Sequence, residues 1–185
     1  MTTVGTVAEA IAVARDALKQ APPDATGRAR VTPALLRFAE KCSGLKVEIR
    51  KVRISEQYAR GWIQRYTDKA IISVSPDLNV CWSRFVVCKE LMHLLVDLDE
   101  ACRTTDPVDL LSRIFMSGQG AVSAPVQSEG WAFAAALEYM LPWDRRPDEC
   151  PIESSMRIAD RFKVPRAYVE LFYSPTWEAI RKIAL

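Results

Sequence analysis

The sequence predicts an α+β domain, mostly helical with one small sheet, and three observations carry that expectation. Helical patterning dominates both ends of the chain, period-two alternation is confined to a short central stretch, and the composition is that of an ordinary globular protein. At 185 residues, with 49% hydrophobic and 26% charged residues, the chain can bury a core without staples, and disordered and fibrous classes are excluded. Lys and Arg number 25 against 23 Asp and Glu, so net charge alone argues for no polyanionic partner.

The elements follow in order. Residues 4–20 pattern as an amphipathic helix, closed by Pro22 and Pro23. Thr32 reads as an N-cap with Pro33 at the first position of a second helix, which runs through Lys41 and stops at Gly44. Leu45–Ile54 alternates apolar and charged residues, the mark of a half-exposed strand. Ala70–Val74 is a second strand, and Pro76-Asp77 a turn. Trp82–Leu98 is too long and too helically spaced for a strand. Residues 101–127 read as a loop-like insert around a short apolar piece. A helix over Ser128–Met140 ends before Pro142, and two or three short helices over 152–162, 165–173 and 175–184 close the chain. No repeat or low-complexity tract interrupts this order.

The N-terminus lacks the basic start, apolar block and small-residue cleavage site of a signal peptide, and no run resembles a spanning helix. Five cysteines, an odd number without a C-x-x-C pair, argue against a disulfide framework and a cysteine zinc knuckle. A reducing cytoplasm is the expected location, with no membrane partner.

The helix around residue 90 carries the chemistry. Its string FVVCKELMHLLVDLD is apolar nearly all round and therefore buried, yet it holds Lys89, Glu90, His93 and Asp97. Residues four apart lie one above the other, so Lys89, His93 and Asp97 form a line with Glu90 beside it. Ionisable groups on a buried helix cost several kcal/mol each unless paired or coordinated. His93 is the only histidine in the chain.

Lys89-Glu90-Leu91-Met92-His93 matches the zinc peptidase motif H-E-x-x-H at four of five positions, the misfit being a metal ligand. In context, AIISVSPDLNVCWSRFVVCKELMHLL resembles the ImmA/IrrE family of zinc metallopeptidases. Arg84-Phe85 stand where that family approaches its motif. Glu129-Gly-Trp-Ala-Phe-Ala-Ala-Ala-Leu-Glu-Tyr-Met-Leu-Pro142 resembles its second, Glu-bearing helix, and MRIADRFKVPRAYVELFY its C-terminal helix pair. The resemblance spans roughly residues 32–173. It implies a zincin-like fold arranged as an N-terminal helix and loop (1–31), a metallopeptidase-like region (32–150) and a helix-turn-helix-like segment (151–185), packed as one unit.

Carried over by position, the resemblance implies Glu90 as general base, and His93 and Glu129 as zinc ligands. Lys89 occupies the first ligand position and is the main departure. Phe133, four residues after Glu129, stands where the family tends to have Asn or Asp, and the gap between His93 and Glu129 is long for the family. Lysine is a poor zinc ligand, since freeing its lone pair at pH 7 costs about 4 to 5 kcal/mol. The simpler expectation is an ammonium in place of the metal, paired with Glu90 and Glu129 and leaving no resident cofactor. Cys88 is turned about 140° from His93 and is no substitute. Asp97 is better placed, and His93, Glu129 and Asp97 form an alternative zinc set.

The resulting expectation is a pseudo-peptidase that regulates bacterial or phage genes by binding a repressor-like protein. A zinc endopeptidase with altered ligands is one alternative. A DNA-binding regulator is the other, drawn from seven Lys and Arg among residues 45–69 interleaved with Tyr58, Trp62 and Tyr66, and from Arg161 and Arg166 in the C-terminal helices. Plainer readings exist for single residues: a core histidine, an acid at a helix N-terminus for Glu129, and core packing for Trp131, Phe133 and Tyr139.

Overall fold

The computed structural model describes residues 6–20, 33–53, 60–96, 124–145 and 154–183. Helix α1 (Val7–Gln20) starts from a capping box, in which the Glu9 N–H donates to Thr6 Oγ1 (3.2 Å) and the Thr6 N–H to Glu9 Oε2 (2.9 Å). Helix α2 (Pro33–Ser43) is followed by Gly44 at φ +74°, the left-handed position that favours glycine after a helix. Three strands follow, β1 (Lys46–Lys51), β2 (Gly61–Arg65) and β3 (Lys69–Val74). They form a sheet of order β1-β3-β2, with β1 parallel and β2 antiparallel to the central β3.

Helix α3 (Val80–Val96) begins where Asn79 Oδ1 accepts the Trp82 N–H at 3.0 Å. From Phe85 onward every residue except Lys89 is buried, as an all-apolar helix requires. One side of α3 packs on the sheet, and other sides meet α2 and helix α4 (Ala124–Met140), which also packs along α1. Gly61 shows how close strand and helix come: a Cβ there would lie 2.4 Å from Val86 Cγ1 and 2.8 Å from the Ser73 carbonyl oxygen. No side chain fits between them.

A short 3-10 turn (Trp143–Arg145) leads on, and α5 (Ser155–Phe162), α6 (Arg166–Phe172) and α7 (Pro175–Ile183) complete the described chain. Lys163 turns α5 into α6 with a left-handed φ of 54°. Ile158, Phe162, Val169, Phe172 and Trp177 join the same core as α3 and α4.

The architecture is therefore α+β and mostly helical with a three-stranded sheet. Two local expectations need correction. β2 was not anticipated, because GWIQR lacks clean alternation; its pairing with β3 makes it a strand. Helix α4 starts at Ala124, not Ser128, because Pro125 falls in its first turn, where a proline loses no helical bond. Ala124–Gln127 thus belong to a helix, and Glu129 sits in the second turn rather than at the N-terminus.

Candidate functional site

Helices α3 and α4 bring together all the described candidates from the degenerate motif. Lys89 Nζ lies 2.7 Å from Glu129 Oε2 and 3.1 Å from Glu90 Oε1. His93 Nε2 faces the other Glu129 oxygen at 3.2 Å. On the far side of the ring, Nδ1 shares a 3.2 Å hydrogen bond with Ser128 Oγ. Ser128 directly precedes Glu129, so two neighbouring residues of α4 hold both nitrogens of one imidazole. Asp97, the alternative ligand, lies outside the described residues.

Burial differs sharply across the cluster. The side chains of Glu90 and His93 are 2% and 5% exposed, Lys89 is 19% and Glu129 34% exposed. The charged tips thus form a plug, sealed at Glu90 and open at Glu129. For Glu129, burial alone would raise the carboxyl pKa, but the His93 ring and the Lys89 ammonium beside it hold it well below the carboxylate range. Burial likewise acts against the Lys89 ammonium, and the facing Glu90 and Glu129 outweigh it, pushing its pKa above the usual lysine value. Lys89 is a fixed cation here.

Strand β2 anchors the helix end of the site. Arg65 Nη2 donates to the His93 carbonyl at 2.7 Å, and that carbonyl belongs to the last described turn of α3. A cation there also complements the helix dipole.

Toward the start of α3 the cluster is walled by rings, Phe85 and Phe133 beside the motif together with Trp82 and Tyr168. Phe85, one turn before Lys89, packs on Phe133 (centroids 5.5 Å) and on Tyr168 (4.4 Å). Phe133 and Trp82 each meet Tyr168 edge-on, at 5.0 and 5.1 Å, and the Arg60 guanidinium stacks 3.6 Å over Trp82. Phe133 therefore has a packing role where a polar residue was expected from the resemblance. Tyr168 carried no signal except its place on the inner face of a short amphipathic helix.

Do these residues fit a zinc ion? Among the described residues, no group of three or more His, Cys, Asp or Glu is arranged to hold a metal. His93 and Glu129 supply two ligands, and the third position is filled by an ammonium already bonded to Glu129. Cys88 is no alternative: it is buried, its Sγ faces the Ala136 carbonyl at 3.9 Å, and burial raises its thiol pKa far above the usual range. Among the described residues, the donor set does not complete a zinc site, and Asp97 lies outside them.

The candidates for nucleic acid are dispersed. Arg166 donates to Ser155 Oγ (3.0 Å) and Glu170 Oε1 (2.8 Å), and Arg161 lies over the Phe162 ring. Among the basic residues of 45–69, Arg65 points at α3, Arg60 stacks on Trp82, and Lys46, Arg50 and Lys51 line an exposed strand. Trp62 is half-buried, Tyr66 is exposed, and Tyr58 lies outside the described residues. Among the described residues, no helix is long and apolar enough to cross a membrane. Comparison of the chain with family models, curated proteins and solved structures returns no match.

Proposed function

We propose that the chain is an ImmA/IrrE-like regulatory protein whose zinc has been replaced by the ammonium of Lys89, and that it acts by binding another protein rather than by cleaving one. One observation carries this reading: Lys89 Nζ stands within 2.7 and 3.1 Å of the two carboxylates that the family resemblance assigns to water activation and metal binding. A buried carboxylate pair needs a counter-charge, and a lysine supplies it without a metal. With Glu90 engaged by Lys89 and Glu129 shared between Lys89 and His93, no carboxylate in the cluster is left as a free base. The proposed setting is the cytoplasm of a bacterium, acting on a repressor-like partner.

Elemental analysis of the purified protein, gel-filtered without chelator, tests the reading. The expected result is less than stoichiometric zinc and no peptidase activity on added zinc. One zinc per chain retained through dialysis would overturn it and assign Asp97 as the replacement ligand.

A further inference from the structure

The sheet has two edge strands, β2, whose Arg65 bonds the helix of the Lys89 cluster, and β1 on the other side of β3. In a parallel pair, alternate residues turn both backbone groups toward the neighbouring strand. The Lys46 N–H donates to the Asp68 carbonyl (3.1 Å) and the Val52 N–H to the Val74 carbonyl (3.0 Å), so Lys46, Glu48, Arg50 and Val52 face β3. Val47, Ile49 and Lys51 therefore turn theirs to the open side. Of these groups, the Val47 N–H is taken by Glu40 Oε1 at 2.9 Å. The backbone of Ile49 and Lys51 has no such partner among the described residues, and no described strand lies beyond β1. Exposed pairing groups of this kind are a template for another strand.

Side chains say what that strand must carry. Residues 46–53 hold Lys46, Arg50, Lys51 and Arg53 against the single acid Glu48, which is already paired with Arg50 and Lys69. At the start of β1 lies a hollow of about 270 Å³ lined by Arg37, Lys41 and Lys46, whose one acid, Glu40, is committed to the Val47 N–H. On the face toward α3, Ile49 is 37% exposed, a large apolar surface at the centre of the edge. A second copy of β1 would bring like charges together, which disfavours self-pairing.

We infer that β1 accepts an extended segment of another protein as a fourth strand, with acidic residues alternating with apolar ones. The acids lie beside Lys46 and Arg50 and reach the basic hollow, while the apolar residues cover Ile49. Main-chain bonds to Ile49 and Lys51 hold the segment, and charge selects it. This surface is independent of the charge cluster, so its test stands whatever metal content the protein has.

The probe is a short, acetylated and amidated peptide of alternating Glu and Val, followed by fluorescence anisotropy, with hydrogen exchange read at the Ile49 and Lys51 amides. Binding should weaken as ionic strength rises, and both amides should exchange more slowly in the complex. Ile49→Pro removes both an outward N–H and the exposed Ile49 side chain, losses an edge strand tolerates, and should weaken binding about tenfold or more. Lys46→Glu with Arg50→Glu, the two cations placed beside the acids, should do the same without touching the backbone, and decides the matter should the proline variant fail to fold. Equal binding of a Lys-Val peptide, parent-like binding by both variants, or no binding by the parent would overturn the proposal. So would a concentration-dependent dimer lost in Ile49→Pro, which would make the occupant a second copy. A single-stranded oligonucleotide that binds the parent and Ile49→Pro alike, but not the charge-reversed variant, would overturn it in favour of nucleic acid.

Discussion

Helix α4 carries two acids in its buried stretch, Glu129 and Glu138, and they meet opposite fates. Nine residues apart, they point about 180° from each other, Glu129 toward α3 and Glu138 toward α1. Glu138 is 2% exposed and has one cation, Arg15, at 3.2 Å. Burial dominates there, and its carboxyl pKa is raised in spite of Arg15. Glu129 is also penalised by burial, yet Lys89 and His93 together reverse the sign and hold its pKa low. Burial alone does not set the direction of the shift: the Lys89 ammonium and the His93 ring outweigh it at Glu129, whereas Arg15 does not at Glu138, where nearby Asp144 adds to it. One ion pair ties two helices together, whereas the other site concentrates charge.

The strongest way to break the contrast is to convert the concentrated charge into a metal site. Lys89→His places two imidazoles one helical turn apart, with Glu129 as the third ligand, and removes the cation that repels a dication. Calorimetric titration with zinc should show binding at about micromolar Kd or tighter, equivalent to about 8 kcal/mol, where the parent shows none. Adding Glu129→Ala should abolish it. If Lys89→His binds zinc no better than the parent, the three side chains do not converge on one ion, and the family resemblance of the site fails.

A smaller effect is expected from deleting the charge without replacing it. Lys89→Met leaves Glu90 without its cation and Glu129 with His93 alone, and should destabilise the fold by about 3 kcal/mol. Arg15→Met at the other acid should cost about 1 kcal/mol, because Arg15 is 35% exposed and its pairing is screened. Urea unfolding of both variants beside the parent measures the pair. Equal losses would show that the two acids are equivalent ion pairs and that the cluster has no special counter-charge demand.

Much of this comparison was legible in the sequence at one site and little of it at the other. The all-round apolar character of α3 forced its charges to seek partners, and i, i+4 spacing aligned Lys89 with His93. The pairing with Glu129 needed a second helix, which the family resemblance supplied. Ser128 and Tyr168 escaped notice because a buried serine and a helix-face tyrosine have no spacing signature; only the packing of α3, α4 and α6 brings them to the site. Arg15 and Glu138 were separate surface-like charges in the sequence. Their bond spans 123 positions, and nothing local in α1 or α4 announces it. Strand β2 was hidden for a similar reason, since its identity rests on the register with β3.

The finest test uses pH, where the two acids should act with opposite sign. The Glu129 pKa is below its ordinary value of 4.5 in the folded protein, so its stabilisation is present above that value and is lost as pH falls toward the lower folded pKa. The Glu138 pKa is above 4.5 when folded, so its contribution is fully present below that value and declines as pH rises through the folded pKa. Glu129→Gln should therefore be less stable than the parent near neutrality, by about 1 kcal/mol once the exposure of Glu129 is discounted, and the deficit should shrink under acid. Glu138→Gln keeps the shape of the buried side chain and removes a charge that Arg15 only partly offsets. It should be as stable as the parent or slightly more so near neutrality, by less than about 1 kcal/mol, and the difference should vanish in acid. Unfolding free energies of both variants across the acid-to-neutral range decide it. Parallel pH profiles would mean that Lys89 and His93 do no more for Glu129 than Arg15 does for Glu138, and that the distinction between the two faces of α4 has no energetic content.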